Sequence, residues 1–453
     1  MNINANLAAN DQDLRPNLFL GIANCFLFLD HIPNNVVNLI TTRNYGFSGA
    51  SDLFVFISGY TAATVFGKIM LERGALVGAT RIFKRAWQLY AAYIVLFISY
   101  VVSIGYIAGQ YSAPDLINEF NISSFVEHPV KILYHALFLQ SKALNLDVLQ
   151  LYTVLMVLFP PVLWMMVRRP GLTMAASLAL YFAARAFEWN LASYPDGDWY
   201  FNPFCWQLLF VFGAWAALHR AQDTHPFLKS AIALELAIAY LIFALVMTMA
   251  GRFPAFGQMF PDWLFDAFNP NDKENLAPYR ALHFVVIVFV VTQFISKDWP
   301  GLKLPVFDPL IKCGEQSLAV FCVGVFLAFI GHFTLIISSG SVMMQILVSA
   351  TGIAIMTLVA YYISWSKEQD SWKAVARSNE PARVSAEYGV GQPQRQDRHI
   401  GDDGEHDQKQ HQERQDAADH LADRRRRNGR EHEQIEPDRR MNQPDLHVVG
   451  EDN

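Results

Sequence analysis

Ten apolar stretches follow one another up to Trp365: 15–32, 50–70, 86–108, 148–166, 171–188, 203–219, 230–250, 279–296, 315–337 and 342–364. Most approach the ~20 residues with which an α-helix crosses ~30 Å of hydrocarbon. Continuous apolar runs of this length do not suit alternating barrel strands, whereas a helix satisfies its backbone polar groups within the segment. The pattern predicts an all-α polytopic integral membrane protein, a bundle of about ten transmembrane helices.

The residues between the stretches set orientation. Lys68, Arg73, Arg81, Lys84 and Arg85 lie between the second and third, and Arg168 and Arg169 between the fourth and fifth. Arg220 and Lys229 follow the sixth, and Lys297, Lys303 and Lys312 the eighth. The alternate loops are poorer in Lys and Arg and carry Asp115, Glu119, Glu127, Glu188, Asp196, Asp198, Asp262 and Asp266. Basic loops stay cytoplasmic. Both termini are therefore expected inside, in keeping with an even number of spans. The outer loops hold Trp189, Tyr194, Trp199, Tyr200, Phe201, Trp263, Phe265 and Phe268. Such rings can stack on sugars, but an interfacial aromatic belt accounts for most of them.

Composition divides the 453 residues in two. Residues 1–365 form a membrane-embedded domain. Residues 366–453 are rich in Gln, Asp, Glu, Arg, His and Gly, include Arg424-Arg425-Arg426-Arg427, and are expected to be a disordered polar tail. The net charge of −6 says little, because much of the charge belongs to the tail. Cys25, Cys205, Cys313 and Cys322 fall in or beside apolar runs without a CxxC pair, and read as small buried hydrophobes. Met1 to Asp13 is polar and no small-residue cleavage site follows the first run, so no cleaved signal is expected. No metal-ligand spacing, GxSxG elbow or Gly-rich phosphate loop appears. No bound cofactor, metal or nucleic acid is expected.

The candidate chemistry sits where charge meets hydrocarbon. Asp30-His31 closes the first stretch and Asp52 opens the second. A charged group at the bilayer centre costs ~2.5–3.5 kcal/mol on insertion scales, so such residues are functional candidates. Asn17, Asn24 and His31 recur every seven residues, and seven steps along a helix return to within about 20° of the same direction. They form one polar stripe, which should face the bundle interior or a wet cavity. Interhelical hydrogen bonding accounts for Asn17 and Asn24. His31 reads either as a structural helix-end histidine or, with Asp30, Asp52 and His135 of the outer loop, as part of a titratable cluster. A histidine oriented by a carboxylate suits proton abstraction from a hydroxyl, which is worth ~10²–10⁴ in rate. Asp30 alternatively caps the helix end.

Several motifs resemble the OpgC family of membrane succinyltransferases, which act on osmoregulated periplasmic glucans. They are Asp30-His31-Ile32-Pro33, Arg43-Asn44-Tyr45-Gly46-Phe47-Ser48, and Asp52-Leu53-Phe54-Val55-Phe56-Ile57-Ser58-Gly59-Tyr60. Leu146-Asp147-Val148-Leu149-Gln150-Leu151-Tyr152 and Phe201-Asn202-Pro203-Phe204-Cys205-Trp206-Gln207-Leu208-Leu209-Phe210 follow. Asp272-Lys273-Glu274-Asn275-Leu276, Arg280-Ala281-Leu282-His283-Phe284 and Ser317-Leu318-Ala319-Val320-Phe321 complete the set, which stops before the tail. More distantly, His31, the run 52–60 and Arg81 to Arg85 are similar to the acyltransferase family 3 superfamily. There an arginine usually stands where this chain has Leu20, and a late-helix histidine near Gly324 is missing.

The resemblance implies O-acyl transfer, with succinyl as the acyl group, from a cytoplasmic acyl-CoA (succinyl-CoA) to hydroxyls of a periplasmic glucan. His31 would be the base, with Asp30 or Asp52 fixing its tautomer, and Asn24 or Ser58 would meet the oxyanion. Asp272, Arg280 and His283 are substrate-binding candidates, and Arg15, Arg43 or Arg280 the cations for a charged acyl chain. Arg81, Lys84 and Arg85, with Lys68 and Arg73, suit donor phosphates; setting topology explains the same charges equally well. A transporter for an anionic or sugar substrate is the chief rival, although no internal repeat or paired broken helices appear. A non-catalytic scaffold of glucan synthesis is the other alternative.

Overall fold

The computed structural model describes residues 13–110, 129–141, 145–219, 230–338 and 340–387, with Ile3 and Leu7 besides. Among the described residues the regular structure is helical, with no β-strand. The helices are α1 (Arg15–Asp30), α2 (Ala50–Arg73), α3 (Ala75–Gln110), α4 (Pro129–Leu137), α5 (Asp147–Arg168), α6 (Pro170–Ala186) and α7 (Pro203–Leu218). They continue with α8 (Ala231–Arg252), α9 (Pro254–Gly257), α10 (Asp262–Asp266), α11 (Pro278–Phe294), α12 (Asp308–Glu315), α13 (Ser317–Ile337) and α14 (Val342–Glu387).

Each of the ten apolar stretches is helical. Six helices (α2, α3, α5, α8, α13 and α14) are long and apolar enough to cross a membrane. By contrast α1, α6, α7 and α11 have only 16 or 17 residues. At 1.5 Å per residue they reach about 24–26 Å, short of the ~30 Å hydrocarbon core. Of these, α1 and α7 are apolar around most of their circumference and largely buried. A helix of that kind belongs inside a bundle. Small residues let it pack there. Gly59 of α2 lies against the Phe210 carbonyl of α7, and Gly213 of α7 against the Phe56 carbonyl of α2, so a Cβ at either would overlap backbone. This reciprocal contact brings the two backbones together, as small residues do between membrane helices.

Between α2 and α3 the chain turns on one residue, Gly74, whose φ of 90° favours glycine. The basic segment expected as a loop is therefore the first turns of α3. Arg81, Lys84, Arg85 and Gln88 recur at i, i+3, i+4 and i+7, which is one helix face. That face lies against Lys68, Glu72 and Arg73 at the end of α2.

The chain divides by contacts into two units, Met1–Ala376 and Arg377–Asn453; of the second, residues 377–387 are described and are helical. α14 thus continues past Trp365, where disorder was expected. Its apolar turns have already nucleated the helix, and the good helix formers that follow (Lys367, Glu368, Gln369) extend it at little cost. The rest of the tail, with its Arg424–Arg427 block, lies outside the described residues, as do Asp115, Glu119, Glu127, Arg220 and Lys229.

Replacing Gly59 or Gly213 with Leu should lower the thermal unfolding midpoint in detergent strongly, since overpacking costs typically ~1–3 kcal/mol and here the obstruction is backbone. Gly105→Ala, which meets open space, should leave the midpoint level or raise it. Equal behaviour of the three variants would show that α2 and α7 do not touch through these glycines.

Candidate functional site

Asp52 is the third residue of α2, where a carboxylate favours the helix dipole. It accepts the Gly49 backbone N–H at 2.8 Å. The side chain is fully buried, so its charge needs a partner. Arg280, the third residue of α11, supplies one, with Nε donating to Asp52 Oδ1 at 3.0 Å and an Nη donating to Oδ2. A cation there opposes the dipole of its own helix, and the carboxylate offsets that cost. The remaining Arg280 Nη donates to the Phe47 carbonyl at 2.6 Å. One turn along α11, His283 Nδ1 meets the Ser48 hydroxyl at 2.8 Å, and its other ring edge abuts Gly46. Together α2 and α11 clamp the loop 43–49.

Asp30 ends α1, and His31 follows it as the C-cap. Adjacent positions point about 100° apart on a helix, so the two side chains part company. Asp30 accepts from Thr41 Oγ1 at 2.8 Å, with Arg43 Nε 3.8 Å away. The His31 Nδ1 atom is shielded from solvent without a hydrogen-bond partner among the described residues. Burial, with like charge from Lys273 and Arg43 adding to it, opposes a proton on its ring and lowers it to about 3. Lys273 lies in the loop before α11, its Nζ 5.3 and 4.9 Å from the Tyr200 and Phe201 ring centroids. Burial, with Arg280 and Arg43 adding repulsion against the pull of Asp52 and Asp30, lowers this lysine to about 8.

At the far end of α2, about 30 Å from Asp52 at 1.5 Å per residue, lies a cleft of about 530 Å³. Lys68 and Arg73 of α2 and Arg81, Lys84 and Arg85 of α3 line it, with Glu72 the one carboxylate among its lining residues. Arg85 also reaches inward, within hydrogen-bonding distance of the Tyr152 hydroxyl, which in turn meets Ser58. Polar side chains thus lead from the cleft into the middle of α2. On α1, Asn24 Nδ2 donates to Ser317 Oγ of α13 at 3.2 Å, while its Oδ1 is buried without a partner among the described residues.

The family model described as OpgC protein matches residues 12–368. The chain belongs to the OpgC family. That membership gives it a role in the modification of osmoregulated periplasmic glucans. No curated protein and no solved structure matches the chain.

Several of the expected site residues are engaged by neighbouring side chains or backbone in the structure. Neither Asp30 nor Asp52 orients His31, because Thr41 and Arg43 occupy the first, and Gly49 and Arg280 the second. Arg280 spends three of its five N–H donors on Asp52 and the Phe47 carbonyl, which ties it to the start of α2 and the loop 43–49. His283 anchors the loop 43–49. Asp272 pairs with Arg185 at 3.0 Å and caps its own loop through the Asn275 N–H. Arg15, at the start of α1, binds Asp13 and the Ile295 carbonyl, at the opposite end of the helix from His31. His135 stacks on Tyr194 at 4.1 Å and bonds Gln140, which accounts for its ring. Of the loop aromatics, Trp199 and Phe201 are buried and Phe268 stacks on Phe47, while Trp189, Tyr200 and Trp263 are exposed. Lys273 is the functional candidate that sequence reasoning underweighted. Its signal was the aromatic pair Tyr200-Phe201, distant in sequence.

Asp52→Asn leaves the Arg280 charge buried without its counterion and should cost ~3–5 kcal/mol, seen as a large drop in unfolding temperature. Asp52→Asn with Arg280→Met should recover much of that loss. If Asp52→Asn behaves like the exposed Asp196→Asn, the pair does not hold the structure together.

Proposed function

We propose that the protein is a membrane O-acyltransferase of the bacterial inner membrane, moving a succinyl group from cytoplasmic succinyl-CoA to glucan hydroxyls on the periplasmic face. The supporting observation is the arrangement along α2: a cleft lined by five cations at one end, the His31 cluster at the other, and Arg85, Tyr152 and Ser58 between. A donor with several phosphates fits the first, and a thioester arm needs a passage such as the second. Arg81, Lys84 and Arg85 would hold the phosphates from one helix face.

At the other end, His31 takes the proton of a glucan hydroxyl. The sugar oxygen attacks the thioester carbonyl carbon, the C–O bond forms and the C–S bond breaks. The proton passes from His31 to the departing CoA thiolate. Burial, and after it like charge from Lys273 and Arg43, keeps the imidazole neutral and so free to accept a proton. Those cations, with the Asn24 amide and the Ser58 hydroxyl further down, offer positive potential to a developing oxyanion. No carboxylate is assigned to hold the imidazole, so its tautomer is left to the substrate.

Purified protein in nanodiscs, given labelled succinyl-CoA and a glucan oligosaccharide, should form ester-linked label. His31→Ala should cut the rate ~10²–10⁴-fold. Arg81→Ala with Lys84→Ala should raise the donor KM about tenfold or more, with less effect on kcat. Label crossing the bilayer without ester formation would identify a carrier. Neither ester nor transport would leave a scaffold.

A further inference from the structure

Lys273 and Arg43 both act on His31, and around Lys273 itself Arg43 and Arg280 stand against Asp30 and Asp52, so that with the lysine three cations face two carboxylates. Both carboxylates are already engaged, Asp52 by Arg280 and Gly49, Asp30 by Thr41 and Arg43. Among the described residues no carboxylate pairs with Lys273. Its ammonium rests instead on the Tyr200 and Phe201 rings, whose faces attract a cation but cannot saturate its three N–H donors.

The backbone beneath this lysine is tightly held. Trp206 Nε1 donates to the Lys273 carbonyl at 3.0 Å and lies 3.1 Å from that of Glu274. Arg185 donates to the Asn275 carbonyl at 2.8 Å, the Tyr181 hydroxyl to the Leu276 carbonyl at 2.6 Å, and Asn202 to the Asn275 side chain at 2.8 Å. These bonds keep Leu276 at a φ of 47°, a conformation that costs a branched residue of order 1–3 kcal/mol. A loop strained and fastened at so many points presents its lysine in a fixed position, as binding requires.

We propose that Lys273, assisted by Arg43, holds the free carboxylate of a dicarboxylic acyl chain while the thioester carbonyl lies at His31. The proposal rests on the transferase reading and assigns the specificity element within it. A neutral acyl chain would leave the ammonium on its aromatic seat without a counterion; a diacid chain supplies one. Selection therefore works against the wrong substrate as well as for the right one. Arg43, with half its side chain in solvent, contributes less than the more enclosed Lys273. Asp147 and Glu274 act on the neighbouring Tyr200. The anion-holding form of Lys273 exists below about 8 and is lost as pH rises through that value. An anionic substituent on the glucan would offer the same carboxylate-like chemistry, and the test separates the two sources.

The readout is the ratio of kcat/KM for succinyl-CoA to that for acetyl-CoA, with the protein in nanodiscs and a neutral glucan oligosaccharide as acceptor. Lys273→Met should lower this ratio about 10- to 100-fold, the worth of a charge-assisted hydrogen bond. Lys273→Arg should keep the ratio and hold it above pH 8, where that of the unaltered protein declines. A ratio unchanged in Lys273→Met overturns the proposal. So does a defect seen only with an anionic glucan, which would assign the cation to the acceptor. If the unaltered protein esterifies glucan with neither donor, the transferase reading itself falls, which is a different result from an unselective enzyme.

Discussion

A carboxylate with no solvent exposure, Asp52, joins an almost equally buried guanidinium, Arg280, and the first turns of α2 and α11 are arranged around them. Each ion is too costly to bury alone, and each sits in the first turn of its helix. Their pairing fixes how α2 meets α11. It also brings in the Phe47 carbonyl and, through His283 and Ser48, the loop that carries Arg43. The ion pair thus constructs the surroundings of His31 without touching it. A buried pair of this kind adds little net stability over a well-packed apolar substitute. Its value is in specifying one arrangement of helix ends.

The second organising contact is steric. Gly59 and Gly213 let α2 and α7 approach backbone to backbone, which places Trp206 of α7 and Asn202, which caps it, under the loop that carries Lys273. The same α2 presents Ser58 to Tyr152 and, at its end, Lys68 and Arg73 to the cationic cleft. One helix therefore spans every part of the proposed reaction path. Small residues, buried charge and the basic face of α3 are three independent features of the sequence that converge on it.

The helical class, the positions of the ten helices and membership of a glucan-modifying family were legible in the sequence, because hydrophobic run length and local motifs are properties of neighbouring residues. The basic face of α3 was legible too, once Arg81, Lys84, Arg85 and Gln88 are seen at helical spacing. The number of helices able to cross a membrane was less so. Runs 203–219 and 279–296 are greasy enough, but a proline at each start and the polar outer loops leave 16 and 17 residues of helix.

Partner choice was the part that only tertiary structure decided. Asp30, Asp52, Arg280, His283 and Asp272 all carry the chemistry of a site in the sequence, yet each of the five bonds a partner on another segment. Charges 228 residues apart, as Asp52 and Arg280 are, meet because two helix ends pack. No local pattern encodes that. Sequence determined which side chains are chemically able to act and roughly at which end of the bundle they lie. Packing determined which of them are already satisfied. Near the Asp52–Arg280 end of α2, the His31 imidazole and the Lys273 ammonium keep hydrogen-bonding capacity for a ligand among the described residues, and that follows from packing alone.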